Sequence, residues 1–224
     1  MSDKLNSLAD VSMAYRPTEK TEARKKAQHK LLSDSALSIV SKGGFKALTI
    51  ASLAQEANVA IGTIYKYFED KAELCAHVFR IASGKEVEMV RRFAFPDDTQ
   101  PHDDNTCTAR LERTIQAFSE RAIAGHTLAY ALIAEPINPV VEAERLVYRE
   151  AYAEIFQQLI EQGISNGEFR QQDAFIAGTA IVGALAETLV APLANASESL
   201  AQTSQDQLFQ SIKIFCLAAV TRGQ

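Results

Sequence analysis

The chain has 224 residues, 47% of them hydrophobic, and a formal net charge of −5. That length and apolar content are enough for a buried core, and only ten Gly and six Pro, with no run of alternating β-branched residues, exclude an ordinary all-β fold. Cys75, Cys107 and Cys216 are too few and too widely spaced for a disulfide framework or a zinc cluster, and are expected to be buried and reduced.

The charge is unevenly placed. From Arg16 to Lys71 ten Lys/Arg stand against six Asp/Glu, a net +4, whereas residues 72–224 carry a net −8. A basic front on an acidic body fits a polyanion-binding module joined to a body that does not bind polyanions. The polar extension 1–20 lacks the basic and apolar regions of a secretory signal, so a cytoplasmic protein is expected.

The first predicted helix is 21-TEARKKAQHKLLSDSALSIVSKGG-44, stopped by Gly43 and Gly44. Thr49 caps a second, 50–57, and Asn58 suits the left-handed position that ends it. A third runs from about Ile61 to Phe68. Asp70 with Glu73 starts a fourth, longer helix in the manner of a capping box.

Two helices joined by a tight turn, with Leu53, Ala54, Ala57, Val59 and Ile64 inward, form a helix-turn-helix pattern. The outer face of the second then meets a major groove. Gly62 lets backbone approach phosphate, Thr63 and Tyr65 offer hydroxyls, Lys66 a cation and Tyr67 an amphipathic ring. The run Arg24, Lys25, Lys26, His29 and Lys30 would add salt-sensitive affinity.

The stretch 49-TIASLAQEANVAIGTIYKYFEDKAEL-74 closely resembles the DNA-binding signature of the TetR/AcrR family of bacterial transcriptional regulators, G-(T/S)-(L/I)-Y-x-(Y/H)-F followed by K-x-x-L. The likeness is good over residues 22–80. It implies that Thr49 holds a phosphate, that Thr63, Tyr65 and Lys66 touch bases or nearby backbone, and that Tyr67 and Lys71 clamp phosphates. Phe68 would join the third helix to the fourth in the core. At Ala60 and Ile61, where many members are polar, thymine-methyl contacts or shape readout are expected instead.

Beyond an acidic, proline-containing loop at 95–106, helices are predicted at about 107–124, 127–134, 139–163, 172–191 and 204–221, the last started by a Ser204–Gln207 capping box. The apolar run 174–193 is long enough to screen as a membrane span. Glu187, Pro192 and the many small residues favour a helix covered by protein on both sides. No membrane partner is expected.

The resemblance implies an all-α protein: a three-helix DNA-binding domain, 21–69, followed by a helical ligand-binding and dimerisation domain, 70–224. It also implies a homodimer built on the last two helices. Apolar stripes agree, with Phe175, Ile176, Thr179, Val182, Gly183 and Val190 on one helix and Leu208, Phe209, Ile212, Phe215, Cys216, Ala219 and Val220 on the other. Two-fold symmetry predicts a palindromic operator in double-stranded DNA.

Arg145, Tyr148, Tyr152 and Phe156 follow helical spacing and can line a ligand site, with Phe118, Tyr130 and Glu135 as further walls. Glu187 either meets Arg145 or Arg149, directly or through a bound molecule, or lies exposed near the dimer edge. These residues suggest a small, mainly apolar effector with one polar group. His77, His102 and His126 lack metal-ligand spacing, so neither metal nor cofactor is expected.

The family resemblance implies repression relieved by the effector, through a shift of the fourth helix. A ligand-independent regulator or an activator is the alternative. Without a nucleophile–base set, phosphate loop or metal cluster, an enzyme is not expected.

Overall fold

The structure, a computed structural model, describes residues 19–96, 105–195 and 202–221. The expected extension 1–20 therefore lies outside the described residues except for Glu19 and Lys20, as does His102. Among the described residues the chain forms nine helices and no strand: α1 (Glu19–Ala47), α2 (Ile50–Glu56), α3 (Ile61–Ile64), α4 (Lys71–Ala94), α5 (Cys107–Ala124), α6 (His126–Ile133), α7 (Pro139–Ser165), α8 (Ala174–Ala194) and α9 (Gln202–Val220). The all-α fold expected from the sequence is the one observed among the described residues.

Local chemistry sets most of the boundaries. Gly44, at φ 72° and ψ −178°, breaks α1, and the helix resumes for one turn to Ala47. The Thr49 hydroxyl accepts from the Ser52 N–H at 2.9 Å and the Ser52 hydroxyl accepts from the Thr49 N–H at 2.9 Å, a reciprocal cap for α2. Asn58 has φ 51°, the left-handed conformation that turns the chain toward α3. Asp70 caps α4 by accepting from the Glu73 N–H at 2.8 Å. Asn138 caps α7, with Pro139 in its first turn where a missing N–H costs nothing.

Three sequence expectations are corrected. Helix α3 is one turn long and gives way after Ile64 to further turns, in which the Tyr67 and Phe68 N–H groups both reach the Ile64 carbonyl, at 2.9 and 3.1 Å. Helix α9 begins at Gln202, before Ser204, so Ser204 lies inside the helix and caps nothing. Helix α8 runs through Pro192 to Ala194, because a proline so near the end disturbs only the last turn.

Two apolar cores hold these elements. The first joins Leu32, Val40, Leu48, Leu53, Ile64 and Phe68 to the first turns of α4 (Leu74, Val78, Phe79) and reaches Ala131 and Val141. Residue 70, the expected domain boundary, thus falls at the head of a helix whose start belongs to the N-terminal core. The second core is built from α5, α7, α8 and α9 around Leu111, Ile115, Ile155, Leu159 and Ile181. At Gly178 an added Cβ would come within 2.9 Å of the Ala153 carbonyl, so the absent side chain lets α8 lie directly on α7.

Candidate nucleic-acid interface and internal cavity

Helix α3 is too short to be stable alone. It is held because Ile64 is fully buried and Phe68 is 2% exposed, both pinned against α1, α2 and α4. Its other side is turned outward. Ala60, Ile61, Gly62, Tyr65 and Lys66 are exposed, Thr63 and Tyr67 half-buried, and Thr49 and Lys71 are exposed at the helix starts on either side.

A Cβ added at Gly62 would meet nothing within 4 Å, so packing within the chain does not demand glycine there. Arg24, Lys26, Lys66 and Lys71 form no ion pair with any described residue, whereas Lys25 pairs with Glu22, and Lys30 with Asp34. Behind this face, His29 lies 6.0 Å from the Tyr67 ring, 5.5 Å from Phe68 and 4.8 Å from His77. The Ser33 hydroxyl and His77 Nε2 are 2.8 Å apart. Burial, then the neighbouring His29 and Arg80, push the His77 pKa below its ordinary value.

A partly open cavity of about 440 Å³, within the range of small-molecule sites, lies among α4, α5, α6, α7 and α8, walled mainly by second-core side chains and by Phe79 of the first. The α7 residues Arg145, Tyr148, Arg149, Tyr152 and Phe156 line it, the first, second, fourth and fifth at the helical spacing noted in the sequence. Phe118 faces them, its ring edge-on to Tyr152 at 5.8 Å. Burial holds the Tyr152 phenol well above its ordinary pKa, so it stays a neutral donor. Its hydroxyl has no hydrogen-bond partner among the described residues.

Among the walls that sequence reasoning missed are Phe79 and Glu86 on α4 and Arg121 on α5. Arg121 donates to Glu86 from Nε at 3.0 Å and Nη2 at 2.6 Å, a two-pronged pair that neutralises both charges. Nothing local signals this pairing of residues 35 positions apart. Arg145 is also occupied, pairing with Glu142 at 2.6 Å and donating to the carbonyls of Ala131, Leu132 and Glu135. Arg149 is the cavity arginine that makes no ion pair among the described residues.

Three expected ligand residues lie elsewhere. Tyr130 packs on the second core without lining the cavity. Glu187 is exposed and meets neither Arg145 nor Arg149, because α8 turns Val182, Leu185 and Ala186 inward instead. Glu135 is buried, but its carboxylate accepts from the N–H groups of Phe45 and Lys46, at 2.8 and 2.9 Å. It faces the N-terminal core rather than the cavity.

The α8–α9 surface also departs from expectation. Helix α9 is apolar on two sides: Phe209, Ile212, Cys216 and Val220 enter the chain's own core, while Ile214 and Phe215 are 64% and 66% exposed. Ile212 is therefore core, Leu208 and Ala219 pack partly against it, and Val182 lines the cavity. On α8, Phe175 and Ile176 are 59% and 60% exposed, with Thr179 and Gly183 beside them and Val190 half-buried. One side of α8 lies on protein and the other is open, although the helix is long and apolar enough by length and composition to cross a membrane. Cys75, Cys107 and Cys216 are all buried and unpaired, and burial raises the Cys216 thiol to about 11.

Comparison with known proteins places these features in a family context. Residues 32–78 match the model described as bacterial regulatory proteins, tetR family, and residues 104–189 match the tetracyclin repressor-like C-terminal domain. The fatty acid metabolism regulator protein of Bacillus subtilis is 23% identical over 74% of this chain and 84% of its own length. The transcriptional repressor KstR of Mycolicibacterium smegmatis is 33% identical over 43% of this chain and 47% of its own. In fold, the chain is similar to the crystal structure of the regulator FadR from Bacillus subtilis in complex with stearoyl-CoA, with a TM-score of 0.69, 21% identity, and coverage of 85% of this chain and 98% of that one.

Proposed function

The chain belongs to the TetR family of bacterial transcriptional regulators and is a DNA-binding regulator, not an enzyme; from that premise we propose that it is a homodimeric repressor, released from a palindromic operator by an apolar effector with one anionic group. One helix serves both ends of this mechanism. The start of α4 (Leu74, Val78, Phe79) belongs to the core that holds α3, and Phe79, Ser83 and Glu86 of the same helix line the cavity. A molecule that moves the cavity wall therefore moves the platform under the recognition helix. Effector and DNA then weaken each other's binding by the same factor.

Residues 21–69 act as the DNA-binding domain and 70–224 as the effector and dimerisation domain. Thr63, Tyr65 and Lys66 reach bases or nearby backbone, and Thr49, Tyr67 and Lys71 hold phosphates. Ala60 contacts a thymine methyl. Gly62, unconstrained by its own chain, leaves room for the DNA backbone. The exposed apolar faces of α8 and α9 suit a second copy: Phe175, Ile176, Ile214 and Phe215 are large and open, and at Gly183 nothing within 4 Å fills the space where a partner helix would approach. The working compartment is the cytoplasm.

The cavity wall is largely apolar, its Arg121 and Arg145 already paired, leaving Arg149 for an anionic head and the Tyr152 hydroxyl for one polar atom. The stearoyl-CoA held by the Bacillus subtilis FadR structure supports an acyl chain with a charged head as the effector class. The test is fluorescence anisotropy on DNA from upstream of the chain's own gene and on scrambled DNA, at several salt concentrations, with acyl-CoAs of increasing chain length. Tight, sequence-dependent binding by two subunits, released by one chain-length range and about tenfold less sensitively in Arg149→Ala, supports the reading. Operator binding that no acyl-CoA alters removes the effector class, and equal binding to both DNAs removes the operator assignment.

A further inference from the structure

Gly44, Phe45 and Lys46 sit where α1 breaks, three to five residues ahead of Thr49 at the start of α2. The break leaves the Phe45 and Lys46 N–H groups without helical acceptors, and Phe45 is only 2% exposed. Glu135, on the elbow between α6 and α7, supplies both acceptors. A Cβ at Gly44 would lie 2.6 Å from Glu135 Oε2, so the glycine makes room for the carboxylate as well as allowing the positive φ. Glu135 is 8% exposed and pairs with no Lys or Arg side chain among the described residues; its charge is met by these two backbone donors.

The elbow is in turn held from the cavity side. Arg145 donates to the carbonyls of Leu132 (3.0 Å), Ala131 (3.3 Å) and Glu135 itself (2.7 Å), and its guanidinium lies 5.8 Å from the centre of the Phe79 ring. Phe79 stacks on Phe45 at 6.2 Å. Arg145 and Phe79 both face the cavity. Through Glu135, a chain of hydrogen bonds therefore runs from the cavity wall to the lead-in of the helix-turn-helix without passing along α4.

We propose that Glu135 and Arg145 form a strap through which the state of the cavity sets the position of the DNA-binding domain, Arg145 fixing the elbow and Glu135 fixing the broken end of α1. This rests on the cavity being the effector site. Both are positioning residues, with no contact to DNA assigned to either. A molecule that draws the Arg145 guanidinium away from its three carbonyls frees the elbow, and the end of α1 loses its anchor ahead of Thr49.

The test needs no identified ligand. Operator affinity of the full-length protein is measured for Arg145→Lys, Glu135→Gln and the double variant, together with amide hydrogen exchange at Phe45 and Lys46. Each single change is expected to weaken operator binding about tenfold and to speed exchange at those two amides, and the double variant to be no worse than the worse single. Independent, multiplying losses in affinity, or unchanged exchange at Phe45 and Lys46 in Arg145→Lys, overturn the strap. Gly44→Ala, which sets a methyl against the carboxylate, should reproduce the Glu135→Gln exchange pattern; ordinary protection at both amides would also overturn it. A separate arm fills the cavity from its α8 wall with Ala186→Phe, a position outside the strap's hydrogen bonds. If that change leaves operator affinity untouched while the cycle shows coupling, the effector reading fails and the strap stands as a fixed brace.

Discussion

The two cores of this molecule are used in opposite ways. In the first, Leu32, Val40, Leu48, Leu53 and Ile64 are wholly buried, and their packing presents a one-turn helix that could not hold itself. In the second, comparable side chains end at a cavity of about 440 Å³. Atoms that face a void have no partners on that side, so the second core gives up packing energy and gains a place that a ligand can fill. A DNA-reading surface needs a single geometry; a switch needs a region with somewhere to move.

The sharpest way to break that contrast is a matched pair of truncations followed by thermal unfolding. Ile64→Ala removes a fully packed side chain and is expected to cost about 3 kcal/mol and abolish operator binding. Ile133→Ala, at the half-buried cavity wall of the second core, is expected to cost about 1 kcal/mol. Equal losses would mean that the second core is as tightly packed as the first.

Lys66→Ala should weaken DNA binding by about 1–3 kcal/mol if the side chain reads a base, with relaxed preference at one operator position. Uniform weakening on every sequence, with the salt slope reduced by about one, would make it a phosphate contact instead. Gly62→Ala sharpens the same comparison from the stability side. With open space around it and no positive φ, alanine should leave the melting temperature unchanged or raise it, by up to about 1 kcal/mol of helix propensity, while lowering operator affinity. A large fall in melting temperature would show that packing, not DNA, requires the glycine.

The smallest expected effect is a pH dependence of the first core. His77 has its pKa lowered from 6.5, chiefly by burial and then by His29 and Arg80, while Glu73 opposes the shift. The unfolded chain therefore binds the proton more readily. The neutral ring's contribution to stability is complete above 6.5 and is lost as pH falls through that value toward the lower, folded pKa. Melting temperature should drop on acidification through this window, and His77→Gln should flatten the drop. A pH response unchanged by the substitution would assign it to other groups.

How much of this was legible in sequence depends on the range of the interactions. Thr49, Asn58 and Asp70 announced helix ends because caps and left-handed turns are made within about four residues, and the observed geometry at each agrees. The row Arg145, Tyr148, Tyr152 and Phe156 was visible because a helix face repeats. Periodicity could not say which way α9 faces, since both of its sides are apolar, and Ile212 was assigned to the partner when it fills the chain's own core. For Glu187 the apolar neighbours left open either an arginine partner or an exposed place near the dimer edge; it stands exposed on the open side of α8.

By itself, then, the sequence determined the succession of helices, the ends at Thr49, Asn58 and Asp70 and the spacing of the helix-turn-helix, all of which rest on hydrogen bonds and side-chain contacts within a turn or two. Only the tertiary structure decided which apolar face turned inward, that Arg121 would meet Glu86, and that the Glu135 carboxylate would close on backbone 90 residues away. Those choices follow from competition among distant surfaces for burial and for hydrogen-bond partners, and no periodic signal along the chain encodes its outcome.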